Sequence, residues 1–254
     1  MGNIEKIMDS IWYRIIEWFI RLILLNIFLI FIPSIILFPT FALYNKFFES
    51  TFMLIILFIF LLIAIYLFLV AYITGFKVIV HYKQHKAGNI FVVFFVEFYE
   101  CLKGIWKLLL MYMPFILLLL FGVYYYWTLM ESFVLIGIIG FFIVFFGVLT
   151  SLIMLNRIAF NNAYIKMKTK DLIKFSWHMS FVDLHKSVLS VVFLVIPIFL
   201  VLFIPYIFVL YFVFGISISL YCMYIIVYKD YEKLVEELKT NKSFNKEEEN
   251  ETGN

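Results

Sequence analysis

The chain reads as an all-α, polytopic transmembrane helix bundle of about six spans, with amphipathic interfacial helices on one side. Three observations carry that reading: long charge-free runs, an apolar composition and a one-sided distribution of basic residues. Five stretches contain no Asp, Glu, Lys or Arg: Leu22–Asn45, Ser50–Phe76, Leu108–Met130, Ser132–Asn156 and Ser187–Tyr228. About 20 apolar residues in a helix cross the hydrocarbon core of a bilayer. The chain is 65% hydrophobic and only 15% charged, where a soluble domain carries about 25% charged residues. Its mean hydropathy is +1.05.

The spans follow in order. The first four runs predict single helices over about 22–43, 51–76, 108–128 and 133–155. The fifth run holds 42 residues, and at about 1.5 Å per residue it would reach ~63 Å, roughly twice the core thickness. Pro197 and Pro205 lie inside it. A turn near Pro205 divides it into spans at about 188–204 and 207–228. Residues 1–240 form one transmembrane domain in this reading, and the Lys/Asn/Glu-rich segment 241–254 is expected to be a disordered polar tail.

Charge sets the expected orientation. With six spans, residues 1–21, 77–107, 157–186 and 229–254 share one side, and they hold 19 of the 20 Lys and Arg residues. Lys and Arg stay on the cytoplasmic side during insertion, so both chain ends are expected in the cytoplasm. The net charge of +3 is accounted for by this retention, and no nucleic-acid partner is implied. The first apolar run is too long for a signal-peptide h-region and lacks a small-residue cleavage site, which predicts insertion without cleavage. Cys101 and Cys222 fall at cytoplasmic ends of helices and are expected as reduced thiols.

The cytoplasmic segments have their own pattern. In residues 3–21, Glu5, Asp9 and Glu17 punctuate Ile, Trp and Phe, as in a helix lying at the headgroup boundary. In residues 89–107, Glu97, Glu100, Lys103 and Lys107 recur every three or four positions on one helix face. Residues 170–186 alternate Lys170, Asp171, Lys174, His178, Asp183 and His185 with apolar neighbours. Each segment precedes a pair of spans, which predicts three repeats of an interfacial helix followed by a transmembrane hairpin. At the opposite side, Tyr124–Trp127 form an aromatic belt. Gly137, Gly140 and Gly147 predict close approach of a neighbouring helix.

Asn26 is the one amide inside the first span, and it should find a partner on another helix. Glu17 and Arg21 stand four residues apart, the favourable order for a helical ion pair. Glu97 and Glu100 are candidate polar groups at the membrane boundary. His81 and His85 have a metal-compatible i, i+4 spacing but no third ligand nearby, so a solvated basic segment is expected there. Otherwise the span interiors offer only Tyr66, Tyr72, Thr74, Thr150, Ser151, Ser217 and Ser219 as polar groups. Coupled carriers place ionisable groups at the midplane, and none is read there. No phosphate-cradling loop, nucleophile elbow, zinc motif or paired catalytic carboxylates are found, so neither a cofactor nor an enzymatic activity is expected.

The N-terminal block carries a family likeness. Trp12-Tyr13-Arg14, Glu17-Trp18, Arg21-Leu22, Leu25-Asn26 and Pro39-Thr40 with Ala42-Leu43 resemble the opening of the YesL-like family of bacterial membrane proteins. That family is built around a domain of unknown function, and its opening ends in a proline-led turn. Asn89-Ile90-Phe91, Phe94-Phe95 and Glu97-Phe98 are similar to its Phe-rich cytoplasmic helix. Ala163-Tyr164, Lys170–Lys174 and Tyr228–Tyr231 resemble its later segments. One departure is the interval Asn45–Gly88, which here includes an entire apolar span.

The resemblance implies a bacterial cytoplasmic-membrane protein with an accessory or regulatory role near carbohydrate uptake. Its partners would be the lipid bilayer and subunits of a membrane transporter. Two alternatives stay open: a permease or channel for a neutral or lipid-like solute, and an enzyme acting on lipid at the inner boundary. The latter would gather Arg21, Glu97, Glu100 or His178 in one polar pocket.

Overall fold

The computed structural model describes residues 11–47, 51–84, 88–165, 167–204, 206 and 208–251. Among these the architecture is helical throughout, with no strand. The helices are α1 (Ile11–Phe47), α2 (Thr51–Lys83), α3 (Ile90–Leu129), α4 (Val134–Tyr164), α5 (Thr169–Val182), α6 (Leu184–Phe203) and α7 (Ile216–Glu251). A short turn, Phe208–Leu210, and a π-helical turn, Tyr211–Gly215, lead into α7. Five helices, or six with the bent pair α5–α6 taken as one span, are long and apolar enough to cross a bilayer.

α2 occupies the centre and packs against α1, α3, α4 and α7. Its sequence explains the position. Between Phe52 and Phe76 it is apolar on every face, and such a helix is stable only when surrounded by apolar material. The consecutive residues Leu69–Phe76 are all buried. Buried side chains concentrate at one half of the bundle, where Leu29, Phe76, Phe94, Leu109, Ile158 and Leu220 meet. At the other half, large apolar residues such as Phe38, Phe58, Leu118, Phe121 and Phe146 are exposed. That outward apolar surface is what lipid-facing helices present.

Several expectations change in detail. Residues 11–21 and 90–107 are not separate interfacial helices; they run without a break into the first and third spans. At 40 residues, α3 measures ~60 Å, about twice the hydrocarbon thickness, so its charged first half lies beyond the core. Of the three approach segments only 170–186 is distinct: α5 meets α6 at 99°. The expected interfacial residues 3–10 lie outside the described residues.

The proline-led turn expected at Pro39 is absent, because α1 continues through both Pro33 and Pro39. A membrane helix tolerates proline where neighbouring hydroxyls take up carbonyls near the break. Ser34 donates to the Ile30 carbonyl at 2.7 Å and Thr40 to the Ile36 carbonyl at 2.6 Å. α6 ends at Phe203 and the next described helical turn begins at Phe208; Pro205, where a turn was expected, lies outside the described residues. The backbone of residues 241–251, expected to be disordered, continues α7 as helix. Its many Glu and Lys residues favour helix over coil.

The glycines of α4 do permit close approach. A Cβ at Gly140 would collide with the ring of Tyr126 on α3, and one at Gly147 would come within 3.0 Å of Leu119. Gly140→Val should therefore destabilise the α3–α4 hairpin by about 1–3 kcal/mol. Thermal unfolding in detergent measures this.

Candidate functional site at the basic end

Side-chain contacts bring the charged segments to one end of the bundle. Lys77 of α2 pairs with Glu97 of α3 at 3.2 Å. Lys186 of α6 pairs with Asp230 of α7 at 2.5 Å. Arg21 of α1 stacks on the Tyr82 ring of α2, its guanidinium carbon 4.0 Å from the centroid, while bonding Glu17 one turn back. Lys83 sits over the rings of Trp18 and Tyr221. The N-terminal part of α1 and the middle of α7 thus share the end where α2 finishes and α3 begins.

Asn26 lies deeper, wholly buried, and its role is to complete the backbone of the last span. In the π turn Tyr211–Gly215 the regular i→i−4 ladder is interrupted. Asn26 Nδ2 donates to the carbonyls of Phe212 (2.6 Å) and Tyr211 (3.4 Å), and its Oδ1 accepts from the backbone N–H groups of Ile216 and Ser217, both at 3.0 Å. One side chain from α1 therefore serves four backbone groups some 190 positions away. Gly215 makes the turn possible, since a Cβ there would strike the Tyr211 ring.

A second polar layer was not anticipated. Arg157 is only 2% exposed, although the sequence presented it as one more cytoplasmic cation. Its Nε donates to Ser187 Oγ at 2.9 Å, and its Nη2 donates to the Asp183 carbonyl at 3.3 Å and lies 3.8 Å from the Asp183 carboxylate. These contacts clasp the α5–α6 bend. Beside it, Tyr72 donates to Asn156 at 2.5 Å, and Asn156 donates to Ser190 at 3.1 Å. Tyr231 donates to Asn161 at 2.6 Å, and Asn161 donates to Ser176 at 2.7 Å.

These chains of bonds join α2, α4, α5, α6 and α7. The signal was present in the sequence. Asn156, Arg157, Asn161 and Asn162 occupy two turns at the end of an apolar span, too widely spread around the helix for all to face water.

Next to this layer are two adjoining cavities, of about 790 and 340 Å³, that share Lys77, Glu100 and Asn162. Glu97 and His81 line the smaller one. Cys101, Lys103 and Thr169 line the larger, and Asn162 donates weakly to the Cys101 sulfur at 3.9 Å.

Of the residues singled out from sequence, Glu97 and Glu100 are thus brought together. Arg21 and Glu17 line neither cavity, and His178 is exposed on α5. Of the set Arg21, Glu97, Glu100 or His178, the two glutamates share the smaller cavity, while Arg21 and His178 stand apart from it. His81 belongs to α2 and faces the small cavity, while His85 lies outside the described residues. Among the described residues no three or more His, Cys, Asp or Glu are grouped to hold a metal ion.

Two outcomes follow from this geometry. Asn26→Leu removes bonds to four backbone groups in a dry seam and should cost about 2–4 kcal/mol. It should also speed amide exchange at Ile216 and Ser217. Arg157→Lys keeps a buried cation but loses the fork that reaches Ser187 and Asp183 together. It should be less stable by about 2–3 kcal/mol, and less stable than Arg157→Met, which removes the charge altogether. Thermal melts of the two variants side by side give the order. Set against known proteins, the chain matches no family model, no curated protein and no solved structure.

Proposed function

We propose that this multi-pass membrane protein is an accessory or regulatory component, of the YesL-like kind, that partners subunits of a carbohydrate-uptake transporter. In this reading the membrane is a bacterial cytoplasmic membrane, and both chain ends face the cytoplasm. The protein works through contacts at its basic end and catalyses no reaction of its own. The retention of Lys and Arg at one end supports the orientation.

The observation that carries the functional reading is how the interior hydroxyls are used. Thr74, Thr150, Ser151 and Ser219 each donate to a carbonyl four residues back, at 2.8–2.9 Å, and Ser217 donates to Phe214. Tyr72 and Asn26 are engaged across helices. A neutral-solute pathway draws on such groups to replace water around its cargo. Here all but Tyr66, which lines an apolar cavity between α2 and α3, have donors held by the chain's own backbone and side chains, which favours a scaffold over a conduit.

Gentle-detergent affinity purification at native expression should recover transporter subunits with the protein. Recovery of no membrane partner, or solute flux by the pure protein in liposomes, overturns the reading. Labelling that reaches the two chain ends from opposite sides of the membrane overturns the orientation.

A further inference from the structure

The larger cavity at the basic end opens sideways. Val92, Phe95, Val96, Tyr99, Trp106 and Leu110 fall on one face of α3, interrupted by Lys103, and all are exposed. They form an exposed apolar face, and three of them, Phe95, Val96 and Tyr99, also line the cavity. Because this half of α3 lies beyond the hydrocarbon core, the cavity mouth stands at the level of lipid headgroups. The α3 wall is hollow at this point: a Cβ built on Gly104 would meet nothing within 4 Å. The volume of about 790 Å³ falls in the range of small-molecule sites.

The polar groups at the mouth are of both signs. Glu100 makes no ion pair or side-chain hydrogen bond among the described residues. Lys103, one turn on, rests its ammonium 4.2 Å from the Tyr99 ring centroid. Asn162 and Thr169 complete the rim, and Lys77 stands behind, paired to Glu97. We propose that this cavity binds a single zwitterionic aminophospholipid, with its phosphodiester toward Lys103 and Lys77 and its primary ammonium on Glu100.

Two features narrow the headgroup. Phosphatidylglycerol lacks the ammonium, and phosphatidylserine adds a carboxylate beside it that would meet Glu100. A choline headgroup has no N–H to donate to a carboxylate, and such cations are bound instead by open aromatic faces. Lys103 already covers the face of Tyr99. The acyl chains then run past Trp106 and Leu110 toward the hydrocarbon core. The inference requires only that the chain is embedded in a bilayer. A failed search for transporter partners leaves it intact, and failure here leaves the accessory reading intact.

The test is native mass spectrometry of the full chain, purified in mild detergent with equimolar phosphatidylethanolamine, phosphatidylglycerol and phosphatidylcholine. One phosphatidylethanolamine should be retained in preference to the other two. Glu100→Gln removes one charge-assisted bond and should lower that retention about tenfold. Gly104→Leu fills the empty space beside α3 and should abolish retention while the melting temperature holds, because leucine is the better helix former. Equal retention of the three lipids overturns the proposal, as does preference for phosphatidylglycerol or wild-type retention by a folded Gly104→Leu.

Discussion

A backbone N–H or C=O in hydrocarbon has no water to turn to, and much of this structure follows from that constraint. Unsatisfied groups in lipid cost several kcal/mol each, so an irregular turn can exist only where another side chain completes it. Prolines stand inside α1 at Pro33 and Pro39 and inside α3 at Pro114. In α1, Ser34 and Thr40 bond carbonyls one turn back beside them. The π turn ahead of α7 is met by Asn26, whose amide has two donors and a carbonyl oxygen, matched to two carbonyls and two N–H groups. Few other side chains offer both kinds of group from one planar head.

The same constraint separates the basic residues into two kinds. Lys83 and Arg21 rest on aromatic rings at the boundary, with apolar stems packed and charges near the headgroups. Arg157 is enclosed, and an enclosed cation must be compensated in place. Asp183 and Ser187 do this in part from either side of the α5–α6 junction, while Nη1 stays buried without a hydrogen-bond partner among the described residues. The consequence is mechanical. The 99° bend is set by a charge on α4 as well as by the local backbone of residues 182–184. Motion of α5 must then be felt in α4 and, through Asn161 and Tyr231, in α7.

How much of this was legible in the sequence depended on periodicity and length. Charge-free runs gave the helices because a bilayer admits little else. α1 and α3 could not be delimited, since composition marks where charge begins but not where a helix stops. A helix can leave the hydrocarbon and continue into the headgroups without a break. Pro39 was misleading for a related reason: in water proline commonly ends a helix, whereas in lipid the alternatives to helix are worse. Asn26 was recognisable as a polar group in need of a partner, yet nothing in the chain marked Tyr211–Gly215 as that partner. Arg157 was hidden by its own usefulness as a topology signal, because the count of cations on one side says nothing of which face each occupies.

The position of the packed core relative to the cavities bears on what this protein can do. Buried residues crowd the basic half, while the opposite half exposes Phe38, Leu118 and Phe146 to lipid. A protein that rocks between two open states needs seams that part at both ends. Here the seams at the basic half are tied by Tyr72–Asn156–Ser190, Tyr231–Asn161–Ser176 and Arg157–Ser187, which cross between helices at nearly every step. Parting them would expose several amides and a guanidinium at once, and low local dielectric makes each such loss expensive. The cavities sit outside these ties, between α3 and the rest, so they can fill or empty while the ties stay closed. In the reading proposed above, such a fold holds something at its boundary rather than passing it through.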